Sequence, residues 1–269
     1  MNLVKRWAGE NYMTFTVENL EFFLAIAMRI AGFVFIAPFF SNSSMPQRAK
    51  LLLSFSVALV TFFVVPQDEP LSYNGVIGYA GLIISEAIAG MVLGLFANLA
   101  LFILSFAGQI ADMEIGLSMV TQFDPTNKMQ ITISSNLFTF AVTLTMVATN
   151  LHLYILRAVV DSFELIPIGE AVFSPMMYQG YLGFLFDYMV LGFRIVLPVF
   201  AALLVVNAVL AILAKAAPQM NMFVIGFQLK IFVGLVTLTI MMLFLPSISE
   251  MVFEQMMKLL KTAAAYLTP

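Results

Sequence analysis

The sequence predicts an all-α membrane protein built of long helices and helical hairpins, and three observations carry that prediction. Of its 269 residues 62% are hydrophobic and only 10% charged, against roughly half and a quarter in ordinary soluble domains. Mean hydropathy is +1.00, more apolar surface than a soluble fold of this length hides. Stretches 51–67, 87–111, 129–156, 195–214 and 231–249 hold no Asp, Glu, Lys or Arg, and about 20 apolar residues suffice to span a bilayer.

Taken in order, the predicted apolar helices are 17–40, 49–65, 76–107, 129–160, 178–214 and 223–245, with a central polar connection at 108–128 and an amphipathic tail at 247–269. Ser41 to Ser44 and Pro46 close the first helix, Pro66 to Pro70 close the second, and Pro218 divides the fifth from the sixth. Pro198 predicts a kink inside the fifth. The third would be about 48 Å long as a straight helix, against a hydrocarbon core of about 30 Å. No repeat and no linker stands out, so a single domain over 1–269 is expected. Glu10, Glu18 and Glu21 interrupt the apolar stretch after Lys5 and Arg6, so the first span is expected to be retained rather than cleaved as a signal.

Six spans place Lys5, Arg6, Arg157, Lys258 and Lys261 on one side and Arg48, Lys50, Lys128 and Lys215 on the other. That balance carries no positive-inside signal. The net charge of −3 is small and no basic patch points to nucleic acid. With no cysteine, disulfides and thiolate metal sites are excluded. P-loop, GxSxG, HExxH and paired-carboxylate signatures are missing.

Four features could carry function. Arg29, Glu86, Arg194, Lys215 and Lys230 lie in or beside apolar helices, where charges are costly and face a partner or a watery cavity. An ion pair of Asp187 with Arg194, seven residues apart on one helical face, is one expected arrangement. Glu86, Gly90, Gly94 and Asn98 recur every fourth residue, so they share a face, and their GxxxG lets another backbone approach. That backbone could belong to this chain or to another subunit. The segment 108–128 is too polar for a lipid-facing span and too apolar for an ordinary loop. It fits either a re-entrant plug in a channel or a partly buried connection. The only histidine, His152, reads as a hydrogen-bonded structural group, with a proton relay as the sharper alternative.

These pieces together resemble the FliR family of the flagellar type III export apparatus and its injectisome counterparts. The stretch RIAGFVFIAPFFSNSSMPQRAK matches the family pattern at Arg29, Pro38, Pro46, Arg48 and Lys50, and SEAIAGMVLG at Glu86, Gly90 and Gly94. GQIADMEIGLSMVTQFDP resembles the family's central loop, and LAKAAPQMNMFVIGFQLKI its most distinctive stretch, with Lys215, Pro218, Gln219, Asn221, Phe223, Gly226 and Lys230. The resemblance implies a non-enzymatic subunit, without cofactor, of a helical, pseudo-symmetric export gate in the bacterial inner membrane. Its partners would be FliP, FliQ and FlhB, with FlhA and the basal body beyond, and its cargo unfolded protein. An injectisome homologue or a self-sufficient secondary transporter are the alternatives. It also implies a plug carrying Gly108, Asp112, Met113, Ile115, Gly116, Leu117, Met119, Asp124 and Pro125, with Met113, Ile115, Leu117 and Met119 as seal residues.

Overall fold

The computed structural model describes residues 16–41, 45–66, 71–118 and 132–268. Among the described residues the regular structure is entirely helical: α1 (Val17–Ile36), α2 (Gln47–Val64), α3 (Gly75–Ile115), α4 (Ile133–Ala148), α5 (Leu151–Leu165), α6 (Met177–Ala216), α7 (Met222–Met241) and α8 (Leu245–Leu267). A short 3-10 turn, Met242–Phe244, joins α7 to α8.

Helix ends follow local chemistry. Thr16 caps α1 by accepting from the Asn19 N–H at 3.3 Å. Ala37 is extended ahead of Pro38, and Val65 ahead of Pro66, because a proline ring excludes the helical conformation from the residue before it. α3 stops at Gly116, whose φ of +94° is the left-handed conformation of a helix C-cap.

α3 is the axis of the core. It packs against α1, α4, α6 and α8, and more lightly against α7. On α1 the inward positions Phe22, Ile26, Arg29, Ile30 and Phe33 repeat at three and four residues. On α8 Val252, Met256, Leu260, Ala263 and Leu267 do the same. The 247–269 stretch is therefore more than a tail. It is a core helix, continued almost without interruption from α7.

Five helices are long and apolar enough to cross a membrane, or six if the bent pair α4–α5 counts as one. Three are far longer than a bilayer needs, counting the continuous α7–α8 run Met222–Leu267 of 46 residues as one. α3 has 41 residues and α6 has 40, about 60 Å each. Tilted by 40°, the upper end of the usual range, such a helix still projects about 46 Å through a core of about 30 Å. Pro198 lies inside α6, and the helix continues through it.

Two boundaries differ from the sequence expectation. α3 runs on to Ile115, into the stretch expected as a connection, because Gly108 and Asp112 face a neighbouring helix rather than water. The expected 129–160 helix breaks at Thr149–Asn150, where Asn150 takes φ 60° and α4 and α5 meet at 77°. Asparagine enters the left-handed region at little cost, so neither Pro nor Gly announces the bend.

Candidate functional site

The polar chemistry of the core is concentrated at two places on α3. The first is its Glu86 level. Arg29 of α1 and Glu86 are both fully buried, and Arg29 Nε donates to Glu86 Oε2 at 2.5 Å while Nη2 donates to Oε1 at 3.1 Å. A two-pronged pair of this kind is the strongest carboxylate contact an arginine makes. The remaining donors are also used. Arg29 Nη1 donates to the carbonyls of Ile166 at 2.9 Å and Ser162 at 3.4 Å, closing the C-terminus of α5. A cation there also meets the negative end of the helix dipole. The Phe163 ring lies beneath the guanidinium at 4.2 Å, and the Gly169 N–H donates to Glu86 Oε1 at 2.8 Å. One ion pair thus binds α1, α3 and the end of α5.

The glycines above it make that approach possible. A Cβ on Gly90 would overlap the carbonyl oxygen of Arg29, and one on Gly94 would sit 2.9 Å from the Phe33 carbonyl oxygen. Gly32 meets the Ala87 carbonyl in the same way from the α1 side. The stripe therefore packs within this chain. Asn98, one turn on, is half-buried and its side chain makes no hydrogen bond among the described residues.

The second place is the Asp112 level. Asp112 is 1% exposed and accepts from the Ser134 N–H at 3.1 Å and from the Ser134 hydroxyl. Its negative charge sits on the first turn of α4, where helix N–H groups have no internal partner. Thr132 accepts from the Ser135 N–H, and the Ser135 hydroxyl donates to the Ser105 carbonyl at 2.7 Å. Gly108 lies directly against the Ser135 backbone. Two buried carboxylates of α3 thereby hold the bent α4–α5 pair at both ends, Asp112 directly and Glu86 through Arg29.

The other expected plug residues divide. Met113 is 63% exposed, whereas Ile115 is fully buried in a notch left by Gly234 of α7. Gly116 lies against Phe227, and Leu117 is half-buried on the core. Met119, Asp124 and Pro125 lie outside the described residues. Beside Gly116 is a cleft of about 280 Å³, lined by Met113, Glu114, Asn207, Phe223, Phe227 and Lys230. Lys215 is exposed in the last turn of α6.

Two expected contacts are not made. Asp187 pairs with Lys258 of α8 at 2.7 Å and with Gln255 at 3.0 Å, not with Arg194. Seven residues are about 10 Å along a helix, too far for a contact, while α8 runs alongside. Arg194 is exposed and has no partner among the described residues. His152 Nδ1 is buried without a hydrogen-bond partner there. Sequence reasoning also missed Tyr73, whose hydroxyl donates to Glu21 at 2.6 Å, and Tyr79, which donates to the Glu21 carbonyl at 3.1 Å. The Tyr73 hydroxyl is held above the ordinary phenol range, first by that hydrogen bond and then by burial. Thr132 was the findable signal, a standard helix N-cap ahead of an apolar run. Gly234 gave none.

Over-long apolar helices, with the central buried acids used to fasten one helix to another, define an integral membrane protein of helical-scaffold type. Residues 20–256 match the family described as bacterial export proteins, family 1, and the chain belongs to that family. Among similar proteins are three called flagellar biosynthetic protein FliR. That of Pectobacterium carotovorum subsp. carotovorum is 29% identical over 87% of this chain and 88% of its own length. That of Bacillus subtilis (strain 168) is 29% identical over 86% and 89%. That of Escherichia coli (strain K12) is 28% identical over 87% and 88%.

Proposed function

We propose that this chain is a non-enzymatic subunit of the flagellar protein export gate of the bacterial inner membrane, supplying part of the wall of a pore for unfolded flagellar proteins. One observation carries the reading beyond family membership. α6 is about 60 Å long and presents large apolar side chains along its whole length, from Tyr178 at 60% exposure to Ile212 at 69%. A bilayer of about 30 Å covers half of that strip. Other protein must cover the rest, which favours a subunit over a self-sufficient transporter.

On this reading the partners are FliP- and FliQ-like chains, with FlhB and FlhA in contact with the assembly and the basal body around it. The energy comes from an ATPase and the proton gradient acting on those partners. The connection between Gly116 and Thr132 serves as the plug, and the Asp112–Ser134 contact holds its two ends together on α3. An injectisome gate would use the same parts; the flagellar names of the relatives favour the flagellar system.

Co-expression with FliP- and FliQ-like chains, followed by purification in mild detergent, tests the reading. A single complex containing all three is expected. A chain that purifies alone as a monodisperse particle and moves a small solute into liposomes would overturn it.

A further inference from the structure

We infer that Arg194 is the anchor of a contact with another subunit, whose apolar helix brings a carboxylate to it. The inference rests on the gate reading and adds to it the site and chemistry of one interface.

Arg194 stands on the outward strip of α6, with Phe186 (73% exposed) and Val190 (50%) before it and Leu197 (60%) and Leu204 (52%) after it. Its side chain makes no hydrogen bond or ion pair among the described residues. Arg29 of α1, by contrast, is fully buried and has every prong engaged on Glu86 and the end of α5. Among the described residues a carboxylate meets Arg29 and none meets Arg194.

A second polar group is left open at the same place. Proline has no N–H, so Pro198 cannot donate to the carbonyl four residues back, which is that of Arg194. The guanidinium of Arg194 thus has no partner among the described residues, and its carbonyl lacks the donor that a helix ordinarily supplies. Helices in hydrocarbon tolerate such a gap where a neighbouring helix fills it.

Lipid alone does not resolve the position, wherever the bilayer lies. The apolar strip extends about 24 Å from Arg194 back to Tyr178 and about 27 Å on to Ile212. With Arg194 at the hydrocarbon centre, its charge is buried in lipid unpaired. With Arg194 at a headgroup, about 25 Å of large apolar side chains stands outside that face of the membrane. Both placements call for protein on this face. A helix carrying Asp or Glu, and within a turn a hydroxyl or amide to meet the carbonyl that Pro198 cannot serve, satisfies both groups.

The test uses the whole complex. Arg194→Lys places a primary amine at the site, and dicyclohexylcarbodiimide, which enters membranes, joins an amine to a carboxylate in contact with it. The expected product is an amide between this position and an Asp or Glu of another subunit, located by peptide mass spectrometry and missing from the wild-type complex. Arg194→Glu is expected to lower the yield of assembled complex about tenfold, the change that one charge contact of ordinary strength produces, while the isolated chain keeps its helix content. Coupling only to this chain's own carboxylates, only to phospholipid, or to nothing would overturn the contact, as would an undiminished yield of the Arg194→Glu complex. A wild-type chain that purifies without other subunits would overturn the gate reading itself; a normal wild-type complex indifferent to Arg194 overturns this contact alone.

Discussion

The Glu86 level of α3 and the α6–α7 hairpin are made of the same residue types and use them in opposite ways. Around Glu86, glycines bring α1 against α3, and a buried arginine has its charge neutralised and its donors occupied. Along the hairpin, Phe186, Leu197, Phe223 and Phe232 are turned outward, and Arg194 and Lys215 have no partner among the described residues. The first region is complete within one chain. The second has the composition of a core with half of that core missing. A membrane subunit shows where its neighbours belong by what it leaves unsatisfied, and that difference can be broken experimentally at several strengths.

The largest effect is expected at the ion pair. Glu86→Gln or Arg29→Met alone leaves one charge buried and unpaired, which costs about 3–5 kcal/mol. The double substitution should cost clearly less than the two singles together, because no orphan charge remains. Denaturant titration of the purified chain in detergent measures both. Additive losses would show that the pair is not the unit holding α1, α3 and α5.

Next come Gly90 and Asp112. Gly90→Ala places a Cβ onto the Arg29 carbonyl and must separate two backbones, at about 1–3 kcal/mol. Gly81→Ala, on the same helix with open space around it, should instead be neutral or gain up to about 1 kcal/mol from helix propensity. Asp112→Ala leaves the first turn of α4 without its acceptor, about 1–3 kcal/mol. Its effect should be local, seen as faster amide exchange over 133–140 with α1 unchanged. Equal exchange in both variants would remove Asp112 from its anchoring role.

The hairpin should respond differently. Lys215 is exposed at the end of α6, and Lys215→Met is expected to change the stability of the isolated chain by no more than about 0.5 kcal/mol. The same variant should assemble less complex with co-expressed partners. A substitution that destabilises the lone chain as strongly as Gly90→Ala would place Lys215 in the first region rather than the second.

How much of this the sequence carried depends on where each residue's information resides. The apolar helices and their proline ends are written locally, so α1, α2, α6 and α7 lie close to their expected bounds. The Glu–Gly stripe marked a close helix approach, yet periodicity cannot name the partner helix, and the fold supplied α1. Gly108 and Asp112 were misplaced into a connection because polarity reads as solvent or pore. Here it is spent on the start of α4, 22 residues away. The 77° bend and the core role of α8 were invisible for a related reason. Asn150 carries no strong breaking signal, and the amphipathic face of α8 acquires a meaning only when α3 is beside it. Asp187 found Lys258 rather than Arg194 because contacts between helices are absent from any single helix's pattern.

The smallest expected effect lies at the acidic end of the molecule and tests whether the first region extends that far. Tyr73 precedes α3 and donates to Glu21 of α1, so it ties the two helices below the ion pair. Its pKa is raised above 10.0, led by that hydrogen bond, so the protonated phenol is the form that the fold favours. Any stability it adds is fully present below pH 10 and is lost as the pH climbs through the higher folded value. Tyr73→Phe should therefore be slightly less stable than wild type at neutral pH, with a gap that closes above pH 10. A gap that persists unchanged in alkali would assign the tyrosine's contribution to ring packing against Tyr79, 5.3 Å between centroids, and the lower fastening of α1 to α3 to apolar contact alone.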